Sequence, residues 1–374
     1  MMKPAIFTLY PYPKQGGCFR QLSLAVIAAA DKGIEAHYLS AEPFFKEGRR
    51  GITFHKFPFH YGNEILFYAV FYALSPLFIF FIAARRGIKH LIVFNEEFAA
   101  LCAPAAILCG ARTTLLMQGS MEHLIGSRRL PPPVALLLRI YGSIGIRAAS
   151  RVLAVSKDLA QRSRRYYGFK KDIGVFPNYP ARADIDNAKV IDLWKGFGIP
   201  KGSFVTAYSG SLIPRKNVDF LLREFCAASV PGGYLILAGD GSEMARLKGL
   251  AASLGISGSV IFAGAREDRL DIVKSADLFV LPSLHDDCPL ALLEALALGI
   301  PCLASNKGGI PEILRDDGLM FDPCAAGSLS KMLSAAARDK DYLRNIKSLC
   351  DSVSDTPEKD WLEEIGAILL GATL

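Results

Sequence analysis

The sequence predicts an α/β protein built from two consecutive Rossmann-like units, each a doubly wound parallel sheet. Three observations predict it. Short apolar runs alternate with helical stretches almost throughout, the βαβ rhythm of a parallel sheet. That rhythm breaks in a mixed, polar, turn-rich stretch from Tyr179 to Gly198, and then starts again. The length, 374 residues, accommodates about two domains, each with its own core.

In the first unit, Ala5–Leu9 is a strand, followed by a Gly-containing loop and a helical run from Phe19 to Ala30. Gly33 suits the turn into a strand at Glu35–Leu39. Further strands are expected at Leu91–Phe94, Thr114–Met117, Val152–Val155 and Ile173–Phe176. In the second unit they are expected at Phe204–Tyr208, Tyr234–Ala238, Val260–Phe262, Leu278–Leu281 and Cys302–Ala304. The domains are therefore 1–182, a hinge at 183–200, 201–355, and a last helix at 356–374 that packs back on the first domain. That helix begins at Thr356, with Pro357 in its first position and Trp361 on its apolar face.

One segment of the first unit is unusual. Ile65 to Ala84 is twenty residues without a charge, ending at Arg85-Arg86. It is long enough to span a bilayer. It also contains Pro76, is rich in Phe and Tyr, and lies between two strands of one sheet, which a span would sever. It is read as an interfacial helix, with a buried core helix as the alternative.

Charge is unevenly divided. Residues 1–190 carry 25 Lys/Arg against 12 Asp/Glu, a balance of +13, whereas the remainder carries 18 against 24, a balance of −6. A basic first half attracts a polyanion, an anionic bilayer or a phosphorylated acceptor. The low charged fraction, 21%, and a mean hydropathy of +0.27 fit a large buried surface or membrane contact. None of the eight cysteines forms a C-x-x-C pair, which argues against a zinc site or a disulfide framework and for reduced thiols in a cytosol. The first ten residues read directly as a strand, so no signal peptide is expected.

Three motifs carry chemistry. The first is Pro282-Ser283-Leu284-His285-Asp286-Asp287-Cys288-Pro289-Leu290, continuing through Glu294 to Gly299. A strand ends, a loop carries two acids, and an apolar helix starts with Pro289 as its first residue. Glu294 inside such a helix is costly unless something polar meets it. An acid, free helix-start amides and a second acid together suit a nucleotide-sugar: hydroxyls on the carboxylates, phosphate on the amides. The structural reading makes Asp286 and Asp287 caps and Glu294 an ion-pair partner. The second motif, Tyr208-Ser209-Gly210-Ser211 through Arg215-Lys216-Asn217, sets two cations after a strand end, where they could neutralise a diphosphate or form a solvated corner. The third, Leu237-Ala238-Gly239-Asp240-Gly241, is a tight βα turn, matched in the first unit by Gly16-Gly17.

The run from Gly210 to Pro323 resembles the donor domain of retaining GT-B glycosyltransferases of family 4, the glycosyl transferases group 1. It shares with them Gly-x-Leu-x-x-x-Lys-Asn, Ala-Gly-Asp-Gly, Val-x-Phe-x-Gly, the acid-x7-Glu motif and Gly-Gly-Ile-Pro-Glu-Ile. Weaker echoes, among them Gly16-Gly17, Ser150 to Ser156 and Pro177-Asn178, extend it over nearly the whole chain. The resemblance implies two domains facing across a cleft and a UDP- or GDP-sugar donor. Arg215 and Lys216 would hold the departing diphosphate, and Glu294 the ribose. Asp286, with the backbone of Asp287, Cys288, Pro289 and Leu290 as a loop, would hold the transferred sugar. The turns at Gly239–Gly241 and Gly264–Arg266 would border the base, and Gly16 and Gly17 would face the diphosphate.

The resemblance further implies no obligatory metal or cofactor, and the Asp184-Ile185-Asp186 run in the hinge is a poor metal site. Two departures stand out. Asp286 occupies a position usually held by Glu, and Gln118-Gly119-Ser120 stands where many relatives carry a His. Gln118 is then the acceptor-side candidate, and the departing phosphate takes the acceptor proton. The expected activity is sugar transfer, with retention, onto a growing cell-surface glycan (lipopolysaccharide or capsule) or lipid-linked saccharide. The protein would be cytoplasmic, peripheral on an anionic membrane surface, with no nucleic-acid partner. A soluble transferase to a small metabolite, or a sugar-nucleotide-binding protein without turnover, is the alternative.

Overall fold

The computed structural model describes residues 5–12, 17–45, 47–59, 63–128, 131–354 and Ile365. The chain divides into two compact units, Met1–Asn178 with Glu358–Leu374, and Tyr179–Pro357. The expected helix from Thr356, with Trp361, lies outside the described residues, as does Gly16.

The first unit contains strands β1 (Ala5–Leu9), β2 (Glu35–Ser40), β3 (Ile52–Lys56), β4 (His90–Val93), β5 (Arg112–Met117), β6 (Arg151–Ala154) and β7 (Gly174–Val175). They form one seven-stranded sheet in the order β3-β2-β1-β4-β5-β6-β7, parallel at every pairing. β3 was not expected: it is short, lies at the sheet edge and mixes His and Lys into a half-buried pattern. β7 keeps only two of the four residues expected at Ile173–Phe176.

The charge-free segment forms the helix Glu64–Arg86, between β3 and β4 of that one sheet. It is long and apolar enough to cross a membrane by length and composition. Phe67, Phe71, Ser75, Ile79 and Ala83 are buried, whereas Leu66, Leu77 and Phe81 are exposed. The buried set recurs every four residues, so one stripe is covered and the other is left outside. The helix Glu96–Cys109 packs against it and against a third helix, Pro132–Ala148.

The second unit contains β8 (Val205–Ser209), β9 (Tyr234–Ala238), β10 (Val260–Gly264), β11 (Leu278–Leu281), β12 (Cys302–Ser305) and β13 (Met320–Phe321). Their order is β10-β9-β8-β11-β12-β13, again parallel. The two-residue edge strand β13 had no counterpart in the sequence reading. β8, β9, β11 and β12 are almost wholly buried, as continuous apolar runs in a covered parallel sheet must be.

The expected hinge at 183–200 is part of this second unit, and the division falls at Asn178/Tyr179 instead of 182. Hydrogen bonds account for the difference. Lys189 N–H donates to Asp271 Oδ1 (2.8 Å), Ile191 N–H to Ser275 Oγ (2.8 Å), and Lys274 Nζ to the Ala188 carbonyl (2.8 Å). Leu193 and Ile199 are buried in the second unit's core.

Candidate functional site

In both sheets the strand order reverses between two neighbours, β1 and β4 in the first unit and β8 and β11 in the second. A crevice opens outside the carboxyl ends of the strands at such a switch point, and ligands bind there. The loops that carry the expected donor residues leave β8 and β11, so topology alone brings them to that point.

After β8, Pro214–Lys216 makes a 3₁₀ turn, closed by Asn217 in the left-handed region (φ 56°). Asn tolerates this conformation better than most residues, and its Nδ2 donates to the Pro323 carbonyl (3.1 Å). Arg215 carbonyl accepts from Leu284 N–H (2.9 Å), tying this turn to the loop after β11. The tie sets both cations on one acid. Arg215 Nη1 pairs with Asp286 Oδ1, Lys216 Nζ donates to Asp286 Oδ2 (2.7 Å), and Arg215 Nη1 also donates to the His285 carbonyl (2.6 Å).

Asp286 is 6% exposed. Burial opposes its ionisation, but Lys216 and then Arg215 outweigh burial and hold the carboxyl well below the usual carboxylate range. Two cations thus meet on one carboxylate. Behind Asp286, Gly309 N–H donates to its carbonyl (2.9 Å), and a Cβ on Gly308 (φ 63°) would collide with its backbone. The Gly-Gly pair after β12 therefore backs the acid-bearing loop.

Asp287 and Cys288 are buried, and His285 Nε2 lies 3.1 Å from Asp287 Oδ1. The next helix is Leu290–Ala297, with Pro289 as its N-cap, one position earlier in the helix frame than expected. Among the described residues no side chain caps it, and the first amides of a helix lack an intrahelical partner. Glu294, 2% exposed, sits on this helix. Its carboxylate is gripped by Arg269, with Nη1 to Oε2 at 2.6 Å and Nη2 to Oε1 at 2.7 Å. Arg269 was missed in the sequence. It opens the helix Arg269–Lys274 inside a run of charges that reads as a solvated face.

The remaining donor candidates are close but distinct. Gly210 N–H donates to Ala238 carbonyl (3.0 Å), and Leu212 N–H to Asp240 carbonyl (2.8 Å). A Cβ on Gly239 would overlap the Gly210 carbonyl, and one on Gly241 the Leu212 carbonyl. These glycines are thus required by the approach of the β8 and β9 loops. Asp240 is exposed and caps Gly241 N–H (2.7 Å). Arg266 forks onto Asp268 (2.7 Å for both bonds) and lies 5.3 Å from the centre of the Phe197 ring. The structure therefore does not join it to Asp286 or Glu294.

In the first unit, Gly17 is exposed and opens the helix Gly17–Asp31 beyond β1. Gln118, just past β5, accepts from Asn178 Nδ2 (2.9 Å). Arg162 joins the same edge, donating to Ser120 Oγ (3.0 Å) and Asp158 Oδ2 (2.8 Å).

Residues 192–348 match the family model described as Glycosyl transferases group 1. N-acetyl-alpha-D-glucosaminyl L-malate synthase of Bacillus anthracis is 26% identical over 271 residues, covering 71% of this chain and 69% of that protein. The lipopolysaccharide core biosynthesis glycosyltransferase LpsE of Rhizobium meliloti is 31% identical over 177 residues, covering 46% of this chain and 49% of that one. The chain thus spans about half the length of that second relative. Among solved structures, WaaG, a glycosyltransferase involved in lipopolysaccharide biosynthesis, superposes with a TM-score of 0.78 at 16% identity, over 98% of this chain and 100% of that one. The two Rossmann-like units are those of the GT-B fold, and the likenesses support a GT-B glycosyltransferase.

Proposed function

We propose that this protein transfers a sugar from a UDP- or GDP-sugar, with retained anomeric configuration, onto a growing cell-surface glycan or lipid-linked saccharide at the cytoplasmic face of a membrane. The observation that carries the donor half of this reading is the Arg215–Asp286–Lys216 cluster beside an uncapped helix start, at the switch point of the second sheet. The acceptor oxygen bonds to the anomeric carbon as the bond from that carbon to the diphosphate oxygen breaks. The leaving phosphate takes the acceptor proton and departs as UDP or GDP. Negative charge grows on the diphosphate during this step, so cations fixed beforehand stabilise the transition state more than the ground state. Asp286 keeps Arg215 and Lys216 in place and, with the loop 287–290, meets the sugar hydroxyls. Glu294 takes the ribose, and Gln118 serves the acceptor side. No divalent metal enters this scheme.

The acceptor half of the reading rests on the first unit's surface. Leu77 and Phe81 on the first helix, Ile107 and Leu108 on the second, and Leu136, Leu137, Ile140 and Ile144 on the third are all exposed. Arg85, Arg86, Lys89, Arg139 and Arg147 lie in or beside these helices. Apolar burial and attraction to anionic lipid add at such a surface. A small hydroxylated acceptor is the second reading, favoured by the N-acetyl-alpha-D-glucosaminyl L-malate synthase, whose likeness covers more of this chain than that of LpsE.

The test is a screen of UDP- and GDP-sugars for nucleotide release, with and without lipid-linked and small acceptors. Release stimulated by a lipid-linked acceptor is expected. Absence of release from every donor would overturn the enzymatic reading, and stimulation by small acceptors alone would favour the second.

A further inference from the structure

We propose that Arg269 is the positioning residue of the donor site, acting on the nucleotide's ribose through Glu294. This inference rests on the donor reading above and adds a residue to it. A carboxylate has about four lone-pair directions. Arg269 takes one on each oxygen, at 2.6 and 2.7 Å. The planar fork fixes the rotation of the Glu294 carboxylate as well as its charge, which a single point contact does not.

The surroundings favour this division of labour. The Glu294 side chain is 3% exposed and that of Arg269 is 24% exposed, so the guanidinium reaches a buried acid from the more open side of the pair. Arg269 Nη1 also lies 3.4 Å from Ser209 Oγ, the last residue of β8. Leu270, Ile272 and Val273 bury the helix that carries the arginine, so its base is rigid. The arginine thus keeps the Glu294 carboxylate oriented, at low entropic cost, for two adjacent hydroxyls.

The experiment compares UDP and GDP with their 2′,3′-dideoxy counterparts by calorimetric titration of wild type, Arg269→Met, Arg269→Lys and Glu294→Gln. The dideoxy nucleotides retain the base and the diphosphate and lack both hydroxyls, so their affinity reports the integrity of the rest of the site. Wild type is expected to prefer the ribo form by about ten-fold to a hundred-fold, the worth of a charge-assisted hydrogen bond. Arg269→Met is expected to reduce that preference to within about three-fold by weakening the ribo form alone, and Arg269→Lys to recover part of it. Adding Arg269→Met to Glu294→Gln is expected to change the preference no further, because the two residues act as one unit. A wild-type preference in Arg269→Met, or equal weakening of both nucleotide forms, overturns the role of Arg269 and leaves the donor reading standing. If wild type binds ribo and dideoxy forms alike, the ribose roles of Glu294 and Arg269 both fail. Binding of neither UDP nor GDP by wild type overturns the donor reading, and this inference with it.

Discussion

The carboxyl edges of the two sheets share a topology and differ in how they spend their charges. At the β8/β11 edge, Asp286 is held by Arg215 and Lys216, and Glu294 by Arg269, with both acids buried. In the first unit, charge is spread over helices that also carry exposed Leu, Ile and Phe, and the residues near Gln118 are joined by neutral and singly charged hydrogen bonds and by the partly exposed Arg162–Asp158 pair. Under the proposed function, the contrast teaches that donor recognition is built into paired, desolvated groups at fixed loop positions, and acceptor recognition is distributed over a surface.

Mutation sharpens this contrast. The largest expected effect follows from Asp286→Asn, which leaves two cations without their anion and loosens both. Turnover at saturating donor should fall on the order of a hundred-fold, and steady-state nucleotide release measures it. Turnover within a factor of about two of wild type would make the cluster a surface corner. Next, Glu294→Gln should weaken donor binding by roughly 1.5–3 kcal/mol while the fold survives. Titration calorimetry and a thermal melt separate the two, since a lost fold with unchanged affinity per folded molecule would indicate a structural role.

A smaller effect is expected on the first unit. Neutralising Arg85 with Arg86 should reduce binding to anionic vesicles by about 1 kcal/mol per charge, and added salt should do the same. Equal, negligible co-sedimentation of wild type with anionic and neutral vesicles at low salt would contradict membrane docking. The smallest effect concerns pH. His37 Nδ1 and His55 Nε2 lie 3.0 Å apart between β2 and β3. Burial, then His37 and Arg86, lower His55 to about 4, and burial, then Arg86, lower His37 against an opposing pull from Glu35. Both therefore contribute stability that is present above the unfolded value of about 6.5 and lost as pH falls toward the folded one. Asp286, also lowered, loses its contribution only in much stronger acid, below the usual carboxylate range. Hydrogen exchange at pH 4.5 should show β2 and β3 opening before the β8/β11 edge, and the reverse order would contradict this assignment.

The same contrast explains what was legible in the sequence. β9 and β11 match their expected bounds because an unbroken apolar run between turn residues is what a doubly covered parallel strand requires. β3 and β13 escaped because edge strands are short and tolerate polar residues. Asp286, Arg215, Lys216 and Glu294 are visible because they stand at strand ends and inside an apolar helix, where charge is conspicuous. Arg269 is not conspicuous, since Arg266, Glu267, Asp268 and Asp271 surround it, and its partner is 25 residues away. Only the buried Glu294, which must have a cation somewhere, hinted at it. The segment 183–200 reads as a hinge because polar, turn-rich composition reports exposure. It does not report which core the backbone hydrogen-bonds to, as Lys189 and Ile191 illustrate.

The central claim is that the paired cations after β8 stabilise a departing nucleoside diphosphate. The most direct measurement is nucleotide release at saturating donor by wild type, Arg215→Ala and Lys216→Ala, with donor affinity determined separately for each. The account predicts that each variant loses turnover by about a hundred-fold to a thousand-fold, beyond any loss of affinity, because the charge these residues meet grows in the transition state. Wild-type turnover in both variants, with only affinity or nothing changed, would contradict it.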